Sequence, residues 1–545
     1  MSGLPTPQID YSLLLPVLIV FGTAVTGVLV EAFVARQRRY LVQVLLAVGG
    51  LAAAFAALVT VGRQVPAAGH TSMLGAVAVD RPALVLQGTI LLVGIMAVIF
   101  IAERNIGATV PDGPGAALPE GPGAAAAPAV MPPRAPHVGL DSFTPQASAV
   151  PGSPAEIDAA RDGVTQTEVF PLTMLAVGGM LVFPAANDLV TMFVSLEVLS
   201  LPLYLLCGLA RYRRLLSQEA ALKYFLLGAF SSALFLFGAA LLYGATGYLA
   251  LPEIGQELFS HSSDSLALIG AGLLLVGLFF KVGAVPFHSW VPDVYVGAPT
   301  PITGFMAAGT KVAAFGAMLR LIYVALPALH DHWRPLLWLI SGLTMVIGTV
   351  AAITQTDIKR MLAYSSIAHA GFVLTGVLSA IPAGISATLF YMVAYSFSTV
   401  GAFAVVNLIR CGGGEEESDL SRWAGLGRRY PIVGLLFSMF LLAFAGIPLT
   451  SGFMSKFAVF KAAAEGDAAP LVVVGVIASG LAAYFYVRVI VLMFFTDSPA
   501  DPPQLVLPSV WSKAAIALCA AMTVVLGIMP QPLLDLVDAA TQFAQ

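Results

Sequence analysis

Long apolar runs recur along nearly the whole chain and are separated by short polar stretches. A helix that crosses a bilayer needs roughly 20 mostly apolar residues, because lipid offers no partner to its backbone N–H and C=O groups. The runs predict fourteen spans, near residues 11–34, 40–61, 83–103, 168–185, 188–210, 217–245, 265–296, 300–327, 333–355, 360–380, 384–410, 431–463, 470–494 and 511–535. The expected fold is an all-α polytopic membrane protein. Spans seven and twelve are longer than the others, and both are expected to break in the middle.

One stretch differs from the rest. Residues 104–167 contain PDGPGAALPEGPGAAAAPAVMPPRAP, which is rich in proline, glycine and alanine. Such a composition builds no core and predicts a flexible loop. The expected organisation is a three-helix segment over 1–103, this loop over 104–167, two helical units over 168–327 and 328–494, and a last helix within 495–545.

Composition sharpens the membrane reading. Of 545 residues, 58% are hydrophobic and only 10% are charged, against about 25% charged in a soluble chain. The mean hydropathy is +0.90. The net charge of −4 gives no reason to expect a nucleic-acid partner. No basic segment precedes the first apolar run, so a cleaved secretory signal is not expected. Cys207, Cys411 and Cys519 are far apart, which argues against a zinc site or an iron–sulfur cluster on this chain. Arg36, Arg38 and Arg39, then Arg211, Arg213 and Arg214, then Lys359 and Arg360, then Arg410, Arg422, Arg428 and Arg429 follow odd-numbered spans. With fourteen spans they share one face, which is expected to be cytoplasmic, with both termini on the outer face of a bacterial cell membrane.

Some charges fall where a bilayer disfavours them. An ionisable group at the membrane centre costs roughly 2.5–3.5 kcal/mol on insertion scales. Glu197, Lys223, Lys281, Lys311 and Lys456 nevertheless lie within predicted spans, as do His288 and His369. Lys223 could snorkel to the interface, and the histidines could equally be satisfied packing residues. Arg320, Arg488 and Lys461 lie nearer helix ends and are expected to snorkel, and Asp293 to cap a helix or turn. Several lysines on successive helices with one deep carboxylate suggest a polar track. A buried ammonium is disfavoured, so a buried lysine can load and release a proton near neutral pH. A nearby carboxylate holds that proton, and moving the carboxylate releases it. Glu197 is the natural partner, with Lys223 the expected cation.

Span seven contains KVGAVPFHSW, where Gly283 and Pro286 interrupt the apolar run, and span twelve contains FAGIPLTSGF, where Gly446 and Pro448 do the same. Paired interruptions are the sequence pointer to an ion site in inverted-repeat transporters. Lys281 precedes the first break and Lys456 follows the second. A weaker echo links LKYFLLGAFSS in span six to IKRMLAYSSIAHAG in span ten. Two inverted five-helix repeats, spans four to eight and nine to thirteen, are therefore expected.

The strings SLEVLSLPLY, KVGAVPFHSWVPDVYVGAPTP, KRMLAYSSIAHAGF and GIPLTSGFMSKF together resemble the hallmark segments of the antiporter-like membrane subunits of respiratory complex I, the proton-pumping NADH–quinone oxidoreductase. The resemblance covers essentially everything outside 104–167. Span eleven reads YMVAYSFSTVGAF, without the histidine and lysine usual in the larger paralogues, and no long lateral helix follows span fourteen. The resemblance implies that Glu197 and Lys223 form the input-side pair. It makes Lys281 the central carrier, Lys311 the bridge between halves and Lys456 the carrier beside the exit. It gives His288 and His369 relay positions. It also implies that flavin (FMN), iron–sulfur clusters and quinone belong to other subunits, with this chain a non-redox translocase subunit in contact with neighbouring membrane-arm subunits and the lipid bilayer. A subunit of a multisubunit cation/proton antiporter would share the fold. A redox or quinone-site subunit would need cofactor ligands, and a pure scaffold would leave the buried charges unexplained.

Overall fold

The computed structural model describes residues 10–104, 140–150, 153–162, 164–260, 264–412 and 414–544. The principal helices are α1 (Leu15–Phe33), α2 (Arg36–Gln64), α3 (Arg81–Ile101), α4 (Val169–Val182), α5 (Leu189–Cys207), α6 (Arg214–Thr246), α7 (Ser265–Val282), α8 (Trp290–Gly297), α9 (Thr300–Ala325), α10 (His330–Ile353), α11 (Ile358–Val377), α12 (Pro382–Asn407), α13 (Pro431–Ala445), α14 (Ser451–Glu465), α15 (Ala469–Phe495) and α16 (Val510–Ile528). Among the described residues, eleven helices are long and apolar enough to cross a membrane. Two shorter apolar helices, Val169–Ala185 and Pro431–Ala445, join them. Among the described residues, the strands form two small antiparallel ladders, His70–Ser72 with Val77–Val79 and Ile409–Arg410 with Gln504–Leu505.

Acidic caps set several helix starts. Asp80 accepts the N–H of Ala83 at 3.0 Å, Asp188 that of Thr191 at 2.7 Å and Asp357 that of Arg360 at 2.9 Å. Each satisfies a backbone donor that the helix itself leaves unpaired. The sixth and seventh helices pack closely because each offers a glycine: a Cβ on Gly238 would lie 2.7 Å from the Gly270 carbonyl oxygen. α9 and α12 bury the whole of their apolar windows, whereas α1, α2 and α15 bury only about a third of theirs (33%). The first pair is thus the centre of the bundle, and the outer helices turn residues such as Leu45, Phe230 and Val476 outward, as lipid requires.

Both expected breaks are present and are built alike. Gly283 has φ +76° and Gly446 φ +82°. After the first, Gly283 N–H donates to Phe280 O and Ala284 N–H to Phe279 O; after the second, Gly446 N–H donates to Ala443 O and Ile447 N–H to Leu442 O. This paired closure of a helix end needs a left-handed residue, which glycine supplies without a Cβ clash. Pro286 and Pro448 follow within three residues and do not continue the helices.

Several expectations are corrected. The helices reach further into the loops, so Arg36, Arg38 and Arg39 lie in the first turns of α2, and Lys359 and Arg360 in the first turn of α11. The last span stops at Ile528, before Pro530. Most of the expected flexible loop, residues 105–139, lies outside the described residues, but its later part is packed. Leu140 and Phe143 are buried, Thr144 N–H donates to Leu209 O, and Asp141 pairs with Arg211 at 2.9 Å. Composition averaged over the whole stretch hid these anchoring residues.

Candidate functional site

Lys281, Lys311 and Lys456 are all buried inside the bundle. Lys281, at the end of α7, is 3% exposed. Its Nζ donates to Ser200 Oγ at 2.6 Å and stands 5.6 Å and 5.3 Å from the ring centres of Tyr204 and Tyr224. Aromatic faces attract a cation while adding no formal charge. Trp290, stacked on Tyr224 with centroids 4.6 Å apart, donates its indole N–H to Phe280 O, a second donor on the carbonyl that also accepts from Gly283 N–H at the break. On the other strand of the turn, Val285 N–H donates to Thr344 Oγ1.

Glu197 lies nearly one turn before Ser200 on α5. Its Oε1 is buried and has no hydrogen-bond partner, and its charge acts on Lys281. The expected Glu197–Lys223 pair is not formed. Lys223 Nζ instead reaches Glu219 Oε1 at 2.7 Å and Asp293 Oδ2 at 2.8 Å, with 42% of its side chain exposed. Glu219 is one turn back on α6, and Asp293 projects from the first turn of α8. Asp293 also accepts from Arg360 Nη2 at 3.2 Å, so it joins α6, α8 and α11 rather than acting as a simple cap.

Lys311 is 3% exposed and donates to the backbone carbonyl of Ser366. It follows a widened helical turn, Met306–Thr310, of a kind often found at functional sites. His369 is buried within electrostatic reach of both Lys311 and Lys456. Its Nδ1 is 2.6 Å from Tyr391 Oη and its Nε2 is 3.4 Å from Tyr486 Oη. Lys456 is 5% exposed and donates to Phe444 O and Ala445 O, both at 2.9 Å, and to Ser479 Oγ at 2.8 Å. Those carbonyls are the open end of α13, where the helix dipole is negative. Among the described residues, none of Lys281, Lys311 and Lys456 forms an ion pair. His288 is half-buried, its Nδ1 lacks a partner, and no hydrogen bond found among the described residues ties it to these lysines.

Two further charge clusters escaped the sequence reading. Arg320 does not snorkel: it is fully buried and makes two bonds to Asp80, at 2.8 and 2.7 Å, and one to Pro184 O. Glu416, in the loop after α12, accepts from Lys359 Nζ at 3.0 Å and from Thr300, with Arg410 3.8 Å away. Burial alone would raise its carboxyl, but Lys359, Arg410 and the Thr300 hydroxyl outweigh that and hold it at about 2. The partners are distant in sequence, so only the fold brings them together. Lys461 and Arg488 stay near the surface as expected, Lys461 beside Glu465 and Arg488 on Ile353 O.

A membrane bundle with two glycine-closed helix breaks and a lysine at each defines a class of ion-moving protein, and sequence comparison agrees. The chain belongs to the NADH:quinone oxidoreductase/Mrp antiporter family, whose transmembrane region matches residues 186–482. NADH-quinone oxidoreductase subunit N of Mycobacterium bovis is 66% identical over 542 residues, covering 99% of both chains. The same subunit of Rhodococcus opacus is 63% identical over 99% of this chain and 98% of its own. A chain of respiratory complex I from Thermus thermophilus with bound aureothin shares the fold with a TM-score of 0.73 at 31% identity, over 96% of this chain and 100% of that one. A chain of the Mrp complex from a Dietzia species matches at 0.75 and 20% identity, over 97% of each, a likeness of fold alone.

Proposed function

We propose that this chain is subunit N of a proton-translocating NADH-quinone oxidoreductase, embedded with other membrane-arm subunits in a bacterial cell membrane. Full-length identity of 66% to subunit N supports the assignment. The observation that carries the mechanism is the series of three buried lysines held by neutral oxygens. A lysine buried among apolar groups and held by neutral oxygens gives up or regains its proton readily.

In this reading Lys281, Lys311 and Lys456 are successive proton carriers, with His369 bridging the last two. Glu197 holds the proton on Lys281 while Lys223 is occupied by Asp293 and Glu219. If Lys223 swings to Glu197, it neutralises that carboxylate and the Lys281 proton moves on towards Lys311. Asp293 thereby belongs to the input side with Glu197 and Lys223. His288 is a relay position only if water connects it. Electron transfer, with flavin, iron–sulfur clusters and quinone, belongs to other subunits, and this chain contributes no redox step.

In this reading the sixteen principal helices make fourteen crossings, α7 with α8 and α13 with α14 each forming one broken span, with both termini on the outer face and the arginine-rich helix starts and loops in the cytoplasm. Residues 168–327 and 328–494 form two inverted repeats. The matching closures at Gly283 and Gly446, each beside a lysine, support that pairing. Residues 1–103 and 495–545 flank the repeats. A multisubunit cation/proton antiporter is the second reading, favoured only by the shared fold. Purification separates the two: copurification with redox subunits and NADH-driven proton uptake supports the first, and sodium–proton exchange without redox subunits overturns it.

A further inference from the structure

We propose that the groove between α12, α13 and α16 is a binding site for one anionic phospholipid. The groove has a volume of about 540 Å³, within the range of ligand pockets. It opens where α12 ends and where α13 and α16 begin, so it runs inward from one membrane–water boundary. Its inner wall is hydrocarbon, from Val405, Ile432, Leu436 and Ile516. The polar side chains at its mouth include two cations, Arg429 from the short turn just before α13 and Lys513 from the first turn of α16.

That arrangement has the two-part chemistry of a phospholipid. An acyl chain fits the apolar wall, and a phosphate carrying net negative charge fits between a guanidinium and an ammonium. Trp511, 74% exposed, lies two residues before Lys513 at the start of α16, and an exposed tryptophan at a helix end suits the headgroup region. A zwitterionic lipid offers the same chain but places its own cation beside Arg429 and Lys513. The site therefore selects headgroup charge, not chain. The inference requires only that the chain spans a bilayer, and it stands apart from the proton path.

The test uses the full chain, with whatever subunits copurify, in bilayer nanodiscs. Photoactivatable phosphatidylglycerol and phosphatidylcholine carrying the same diazirine acyl chain are compared, and labelled peptides are mapped by mass spectrometry. Phosphatidylglycerol should label α13 and α16 in preference, by about fivefold for each cation, the factor that corresponds to about 1 kcal/mol. Arg429→Gln with Lys513→Gln should abolish the preference, while Arg429→Lys with Lys513→Arg keeps it. Ala517→Trp, which fills the groove and leaves both cations, should reduce labelling by both probes. Equal labelling by the two lipids in the wild type overturns the proposal. So does crosslinking of the groove to a neighbouring subunit in place of lipid.

Discussion

Lys223 and Asp293 are joined across α6 and α8 by a 2.8 Å ion pair, while Glu197 Oε1 has no hydrogen-bond partner among the described residues. The relationship turns the input side from a pair into a choice of partners. Asp293→Asn should weaken the hold on Lys223 and shift it towards Glu197. Proton pumping and quinone reduction should then fall together, several-fold, in an assembled complex. Unchanged rates would separate Asp293 from the mechanism.

The second break tests the exit side. A Cβ on Gly446 would lie 3.0 Å from Lys456 Cδ, and the residue has φ +82°. Gly446→Ala should cost about 1–2 kcal/mol from backbone strain alone and should displace the Lys456 amine. A lowered thermal midpoint together with reduced pumping is expected, read by differential scanning fluorimetry and proton uptake.

Glu416 gives a pH dependence with a defined sign. Its carboxyl titrates at about 2 in the fold, below the ordinary 4.5. The charged form is therefore the stabilising one. Its contribution is complete above the ordinary value and is lost as pH falls from there through about 2. Glu416→Gln leaves Lys359 buried without its counterion and should cost about 3 kcal/mol at neutral pH. Thermal midpoints measured against pH should show the two proteins converging in that acid window.

Lys461 is a control inside the same helix as Lys456. It is exposed and only loosely paired with Glu465, at 3.8 Å. Lys461→Ala should leave pumping nearly unchanged, and a large defect would mean that the exit path runs elsewhere.

Much of this was legible in the sequence for physical reasons. Apolar runs must become helices in lipid, and a glycine–proline pair inside one must interrupt it, so the breaks at Gly283 and Gly446 could be read directly. Lys281, Lys311 and Lys456 stood out because charge is rare at such depth. Partners were harder. Asp80 and Arg320 lie 240 residues apart, and a charge near a helix end reads as snorkelling until its counterion is seen. Lys223 illustrates the same limit: the nearest deep carboxylate in sequence was Glu197, whereas packing of α8 against α6 supplied Asp293. The acid in VPD, one turn after the break, was the available signal.

The central claim is that protons pass through the buried lysines, and the most direct measurement is protons translocated per NADH oxidised in proteoliposomes. The intact complex would be compared with Lys281→Ala and Glu197→Ala. Both variants should assemble and show lower pumping with lower coupled quinone reduction. Normal pumping in both would contradict the account.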